Sequence, residues 1–324
     1  MGGNLAESAG GLHAVKYGIT KDYVLNLEVV LPNGEIIWTG ANVLKNSTGY
    51  HLTQLMVGSE GTLGVITKAV LKLIPQPKYK LVVLVPFADA EAACDAVSAV
   101  FRANITPAAL EFIEKDAIDF GQAFLNRYTV DTSGIEAQLL IELDGNYPEI
   151  LWKEMEIIAT VMEEYGGGEL LVAESAEQQT EIWRLRRCLG EAVKGNTIYK
   201  EEDAVVPRAE LAKVLRFVKE VGREYGFQSV CYGHAGDGNL HINIIKNDLS
   251  QEIWEEKIPE AIRKIFQYIV SLKGTLSGEH GIGWVQKRYL DIAFPPAQIQ
   301  LLRQIKQVFD PNGILNPGKI FPDI

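Results

Sequence analysis

The stretch from Cys231 to Ile245, Cys-Tyr-Gly-His-Ala-Gly-Asp-Gly-Asn-Leu-His-Ile-Asn-Ile-Ile, constrains this chain more than any other. Leu240, Ile242 and Ile244 alternate with His241, Asn243 and Ile245. A strand there turns His241 and Asn243 to one face and the aliphatic trio to the other. Gly233, Gly236 and Gly238 supply a bend that bulkier residues resist, and it folds His234 back toward His241. Two imidazoles brought together in this way suit a divalent metal.

A second stretch adds an acid and a base between glycines: Ser277-Gly278-Glu279-His280-Gly281-Ile282-Gly283. Three of the five histidines, His234, His241 and His280, lie in these two motifs. His234, His241 and Glu279 make a two-histidine, one-carboxylate set with open coordination positions for a substrate. His280 is then the base. For any one histidine alone, a structural hydrogen bond beside a tight turn is the more ordinary explanation; the grouping favours chemistry.

The formal net charge of −11 and the lack of a basic run argue against a nucleic-acid partner. Cys94, Cys188 and Cys231 are widely spaced and odd in number, which favours a reducing compartment and no structural disulfide. The first residues lack the basic start and apolar run of a signal peptide, and no segment reads as a membrane span. The expectation is a soluble, cytoplasmic protein, with no internal repeat and no long low-complexity linker.

In chain order, Tyr23–Leu31, the Pro32-Asn33-Gly34 turn and Glu35–Thr39 read as a hairpin, followed by a Gly-rich loop at 58–64 that leads into a strand. Strands are expected at Leu81–Val85, Ile105–Phe112, Ala137–Leu143 and Glu169–Ala173. Helices are expected at about 88–102, burying Ala92, Ala93, Val97, Val100 and Phe101, and at Pro148–Glu164, 177–193, 208–225, 251–272 and 296–309. The β-α-β, β-α-β order points to a ferredoxin-like unit.

His-Ala-Gly-Asp-Gly-Asn-Leu-His-Ile-Asn, then Gly-Glu-His-Gly-Ile-Gly, then Asn316-Pro317-Gly318-Lys319-Ile320-Phe321 resemble, in order, the motifs of the FAD-linked D-2-hydroxyacid dehydrogenases. These include D-lactate dehydrogenase, the D component of glycolate oxidase and D-2-hydroxyglutarate dehydrogenase. The resemblance implies an α+β chain: a partial vanillyl-alcohol-oxidase-type FAD-binding domain and a ferredoxin-like cap domain whose antiparallel sheet is flanked by helices. The implied divisions are 1–77 for the second half of the flavin domain, 78–295 for the substrate and metal domain, and 296–324 for a tail returning to the flavin domain. It further implies that Gly3, Asn4, Ala9, Gly10, Gly11, Tyr17, Gly18, Gly58, Glu60, Gly61, Gly64 and Ile66 line the flavin, with Asn316 and Lys319 near it. The half that holds the FAD pyrophosphate is expected to precede Met1, so this chain alone is expected to bind FAD poorly.

By the same resemblance Arg186 takes a substrate carboxylate, Lys200 falls near a second cationic position, and Asn243 fixes the geometry around the metal. Counting from Arg186 without a gap puts Glu201, not Lys200, at that second position. The expected reaction is oxidation of a small D-2-hydroxy acid to the 2-oxo acid, with FAD taking the hydride and His280 the hydroxyl proton. Zinc, manganese and iron all accept such ligands. Implied electron acceptors are an electron-transferring flavoprotein, an iron–sulfur subunit or the respiratory chain, through which the protein would be peripheral to a membrane; a homo-oligomer stays open. The rivals are a metal-dependent hydrolase needing no flavin, and a non-catalytic subunit of a flavoprotein complex.

Overall fold

The computed structural model describes residues 1–127, 130–173 and 175–322; the last two residues of the expected tail segment lie outside them. The chain begins with α1 (Gly2–Glu7), α2 (Ala14–Tyr17), β1 (Val24–Val30), β2 (Ile36–Trp38), α3 (Leu52–Met56) and β3 (Val65–Leu71). It continues through β4 (Tyr79–Phe87), α4 (Ala90–Arg102), β5 (Ala109–Glu114), α5 (Lys115–Leu125), β6 (Ala137–Gly145), α6 (Pro148–Glu164) and β7 (Leu171–Ala173). Next come α7 (Ala176–Asn196), β8 (Tyr199–Val205), α8 (Leu211–Tyr225), β9 (Gln228–Gly233), β10 (Asn239–Ile245) and α9 (Ile258–Ser271). The chain closes with α10 (Leu290–Ala293) and α11 (Pro296–Phe309).

These elements form two compact units. The smaller holds Met1–Gly11, Gly18–Gln76 and Leu276–Ile324; the larger holds Leu12–Tyr17 and Pro77–Thr275. The chain therefore rejoins the smaller unit at Leu276, ahead of the expected 296. A short bridge explains the place of the change, because Val205 and Thr275 exchange backbone hydrogen bonds of 3.2 and 2.8 Å just before it.

In the smaller unit β1 pairs with β2 and β3 in an antiparallel sheet of order β2-β1-β3. The hairpin closes at Pro32-Asn33-Gly34, where Leu31 N–H donates to the Glu35 carbonyl at 2.9 Å. Its sheet buries Val24, Leu27 and Val29 with Leu5 of α1, Met56 of α3, and Val57 and Leu63, against Ile305 and Phe309 of α11. Burial of such side chains is the main driving term, at about 1.5–3 kcal/mol each.

The larger unit is built on seven antiparallel strands in the order β7-β4-β6-β5-β9-β10-β8. The run β4-α4-β5-β6-α6-β7 gives the ferredoxin-like order expected from sequence, with α5 inserted after β5. The run β8-α8-β9-β10-α9 repeats that topology without a fourth strand, so the sheet reads first-third-second and then second-third-first where β5 meets β9. This is a duplication of topology alone: the two halves share strand order and not residue pattern.

The two faces of the sheet carry different helices. α5 and α7 cover one, where Ala117, Ile118, Ile182, Trp183, Leu185, Leu189 and Val193 pack on Val82, Ala109, Ile113, Leu140, Val230, Tyr232 and Ile245. α4, α6, α8 and α9 cover the other. The α4 stripe differs from expectation: Cys94, Ala96 and Ala99 are buried with Ala93, Val97 and Val100, while Ala92 and Phe101 are half-buried. β5 starts at Ala109 and not at Ile105, since Pro107 lacks the N–H a central ladder needs. The cysteines carry no disulfide, and among the described residues no helix is long and apolar enough to cross a membrane.

Candidate active site

In the larger unit β9 and β10 run antiparallel, with His241 opposite Tyr232 and Asn243 opposite Val230. The bend between them is a single 3-10 turn at Ala235–Asp237. It closes at Gly238, whose φ of +84° and contact with the Val206 carbonyl leave no room for a side chain. β8 lies on the far side of β10 and pairs Asp203 with His241 and Glu201 with Asn243. Cross-strand partners share a face, so His241, Asn243, Tyr232, Asp203 and Glu201 all point the same way. All seven residues of β10 are buried, so its polar face is covered as fully as its aliphatic one.

His234 and His241 meet on that face, with ring centroids 5.5 Å apart and planes at 85°. Glu111 of β5 supplies what the sequence reading missed. Both of its carboxylate oxygens lie 2.9 Å from His234 Nδ1, and the residue has no exposed surface. Arg186 of α7 meets the same carboxylate, Nε at 2.7 Å and Nη2 at 2.6 Å from Oε2. Burial alone pushes the Glu111 carboxyl up, but Arg186 and His234 outweigh it and hold the group below its ordinary value. Glu111 is thus held as an acceptor-only carboxylate facing His234 Nδ1.

Carboxylates outnumber cations around the pair. His241 Nδ1 lies 3.7 Å from both Glu201 Oε1 and Asp203 Oδ1, while Arg186 is the cation paired with Glu111. Burial first, and then Glu201, push the Tyr232 phenol far up, so it stays protonated. Asn243 Nδ2, which also lies beside the Tyr232 hydroxyl, donates to the Val230 carbonyl at 3.1 Å. Its Oδ1 is fully buried and finds no partner among the described residues. Two imidazoles, surplus negative charge and an unmet acceptor fit a divalent cation with a polar ligand beside it.

Two expected substrate contacts are placed differently. Arg186 is committed to Glu111 and stacks 5.3 Å from the Tyr232 ring, with its Nη1 edge not engaged by that carboxylate. Lys200 pairs in register with Ile244 and so lies on the opposite face of β8, where Nζ sits 4.8 Å over Trp254 and 4.0 Å from Glu255. Glu201, like Asp203, lies on the histidine face of that strand.

Glu279 and His280 belong to the smaller unit, on the loop 277–283. Glu60 holds that loop: its carboxylate accepts the N–H groups of Ile282 and Gly283, each at 2.7 Å, and its carbonyl accepts Asn316 Nδ2. Two residues expected at the flavin thus spend their polar atoms on the loop and the tail. Glu7, which carried no expectation, sits in the same cluster; burial and then Glu60 raise its carboxyl, against Lys319 and His280. Gly61 abuts Asn316, Gly64 packs beneath Val29, and Ile66 joins the apolar core.

Of the other residues expected at the flavin, Asn4, Ala9, Gly10 and Gly18 line one mainly apolar concavity of about 430 Å³ with Leu5, Ile19 and Tyr23. Gly3 stands close by on α1 and Gly11 ends that stretch of the smaller unit. Small side chains there leave the backbone open to a flat aromatic ring, which fits a flavin. Tyr17 belongs to the larger unit, its hydroxyl donating to Asp144 Oδ2 at 2.6 Å.

Comparisons with known proteins bear on the family and the fold. Residues 76–320 match the family described as FAD linked oxidases, C-terminal domain, and residues 1–40 match the FAD binding domain. The chain is 41% identical over 325 residues to a D-lactate dehydrogenase of Anaerostipes hadrus, spanning 99% of this chain and 68% of that relative. It is 38% identical to glycolate oxidase subunit GlcD of Bacillus subtilis, with the same shares of 99% and 68%, and 32% identical to a D-2-hydroxyglutarate dehydrogenase of Stutzerimonas stutzeri, with shares of 99% and 69%. Among solved structures, p-cresol methylhydroxylase matches with a TM-score of 0.75 at 19% identity, over 99% of this chain and 68% of that one. The 4-ethylphenol oxidase from Gulosibacter chungangensis matches with a TM-score of 0.72 at 17% identity, over 99% and 70%. The fold is thus of the vanillyl-alcohol-oxidase type, and with a family match across three quarters of its length the chain belongs to the FAD-linked oxidases.

Proposed function

We propose that the protein oxidises a small D-2-hydroxy acid, of the lactate, glycolate or 2-hydroxyglutarate type, to the 2-oxo acid. The carrying observation is the buried histidine pair, with His234 held through Nδ1 by Glu111 so that Nε2 offers its lone pair. His234, His241 and Glu279 would hold a divalent ion, and the backbone around Asn4 and Gly10 a flavin. When bound, the ion makes the substrate hydroxyl more acidic and FAD accepts a hydride.

The chain's own residues supply the rest. His280 takes the hydroxyl proton as the C–H and O–H bonds break and the carbonyl forms. The Nη1 edge of Arg186 meets the substrate carboxylate, and Asn243, anchored through Nδ2 to the Val230 carbonyl, fixes the local geometry. α7 and β10 fix Arg186 and Asn243 before substrate arrives, which lowers the entropic part of the barrier. The relatives named for lactate, glycolate and 2-hydroxyglutarate support the substrate class.

Protein that carries FAD, supplied with Zn2+ or Mn2+, should reduce a dye acceptor with one or more of D-lactate, glycolate and D-2-hydroxyglutarate and be inert to L-lactate and L-2-hydroxyglutarate. Flavin-loaded protein that oxidises none of them would overturn the reading.

A further inference from the structure

We propose that Glu111 is a positioning residue that fixes the ring tautomer of His234 and thereby aims Nε2 at the metal; the second half of the statement rests on the metal reading above. Glu111 stands on β5, the strand at the junction of the two halves of the sheet, and His234 follows the partner strand β9. The turn itself is held independently: the His234 carbonyl accepts the N–H groups of Asp237 and Asn239, both at 3.2 Å. With the backbone set, the ring keeps a choice of which nitrogen carries hydrogen, and the carboxylate of Glu111 at Nδ1 favours hydrogen there. Arg186 Nη2 lies 3.4 Å from Nδ1, but an N–H at each end cannot bond, so Arg186 acts by keeping Glu111 charged.

A carboxylate with no exposure is costly to bury and is justified by partners that an apolar residue could not satisfy. A pure Arg–Glu pair would account for Oε2 alone. The approach of both oxygens to Nδ1 requires the imidazole as the second client.

Glu111→Gln gives a sharp test. Arg186 aims two donors at the Oε2 position, so the amide oxygen is drawn there and the amide NH2 falls against Nδ1. Nδ1 then becomes the acceptor, hydrogen moves to Nε2, and the metal lone pair is lost. In the metal-free full chain labelled with 15N-histidine, the His234 signals, identified by their loss in His234→Gln, should report Nδ1–H in wild type and Nε2–H in Glu111→Gln. Zn2+ and Mn2+ affinity, titrated against a competing chelator, should fall about 10- to 100-fold, while Glu111→Asp, which keeps an acceptor-only group, should restore Nδ1–H and recover part of the affinity. An Nε2–H ring in wild type overturns the proposal, and so does a Glu111→Gln protein with unchanged tautomer and affinity. If Glu111→Gln does not fold, the wild-type and Glu111→Asp spectra decide: Nδ1–H in both supports the proposal and Nε2–H in either overturns it. Wild type that binds neither ion sinks the metal reading, and the tautomer half of this proposal is then judged on the ring spectra alone.

Discussion

Glu111 and Glu114 leave the same strand in opposite directions, and both are nearly withdrawn from solvent, at 0% and 6% exposure. Glu111 enters the face under α7, where a guanidinium fork and an imidazole hold its carboxyl low. Glu114 enters the face under α8, where Lys219 Nζ lies 2.7 Å from Oε1 and the Cys231 N–H donates at 2.6 Å to Oε2. There burial wins, and its carboxyl is raised despite Lys219. A guanidinium is weakly hydrated and shaped for a carboxylate, whereas an ammonium gives up more water to enter. Two identical side chains on one strand therefore end as different chemical objects: a fixed anion that orients a ring, and a structural tie between a sheet and a helix.

If the faces divide the labour in this way, mutations should separate chemistry from stability. The largest effect belongs to the histidine face: His241→Ala should lose near-stoichiometric metal by elemental analysis and turnover with it, while thermal unfolding changes little. His280→Ala should keep its metal and lose turnover by roughly 100- to 10,000-fold; metal loss there, with Glu279→Ala retaining it, would exchange the two roles. On the other face, Lys219→Met strands the Glu114 carboxylate and should cost about 3–5 kcal/mol in denaturant unfolding with metal affinity unchanged. A metal affinity that drops with Lys219→Met would erase the division. Ile242→Val, within the aliphatic face of β10, should cost about 0.5–1.5 kcal/mol. The smallest effect is expected of Lys200→Ala, which should leave KM near the wild-type value in steady-state kinetics, because Lys200 points away from the histidines.

Local pattern made part of this legible. The alternation in Leu240–Ile245 announced β10, and proline at the first helical positions marked α6 and α11 at the boundaries the structure shows. Glu111 was not legible, since 123 residues separate it from His234. The one available hint was two acids in a six-residue strand otherwise made of Ala, Leu, Phe and Ile. α5 escaped notice because it follows β5 without a turn signal, and the duplicated topology because strand order leaves no trace in residue spacing. Arg186 was singled out for substrate, and only the fold reveals that Glu111 claims most of its guanidinium first.

The short passage 12–17 belongs to the larger unit although the residues on both sides of it belong to the smaller. His13 reaches Glu142 at 3.1 Å, Lys16 donates to the Asp144 carbonyl at 2.8 Å, and Val15 lies against Gly236 in the bend between the two histidines. No single scissile point in the gene therefore divides the protein into its units. A recombination event at residue 77 that exchanged everything downstream would leave the new sheet leaning on a foreign hexapeptide. Residues 12–17 and the Gly236 bend must travel as one heritable block, even though more than two hundred codons lie between them.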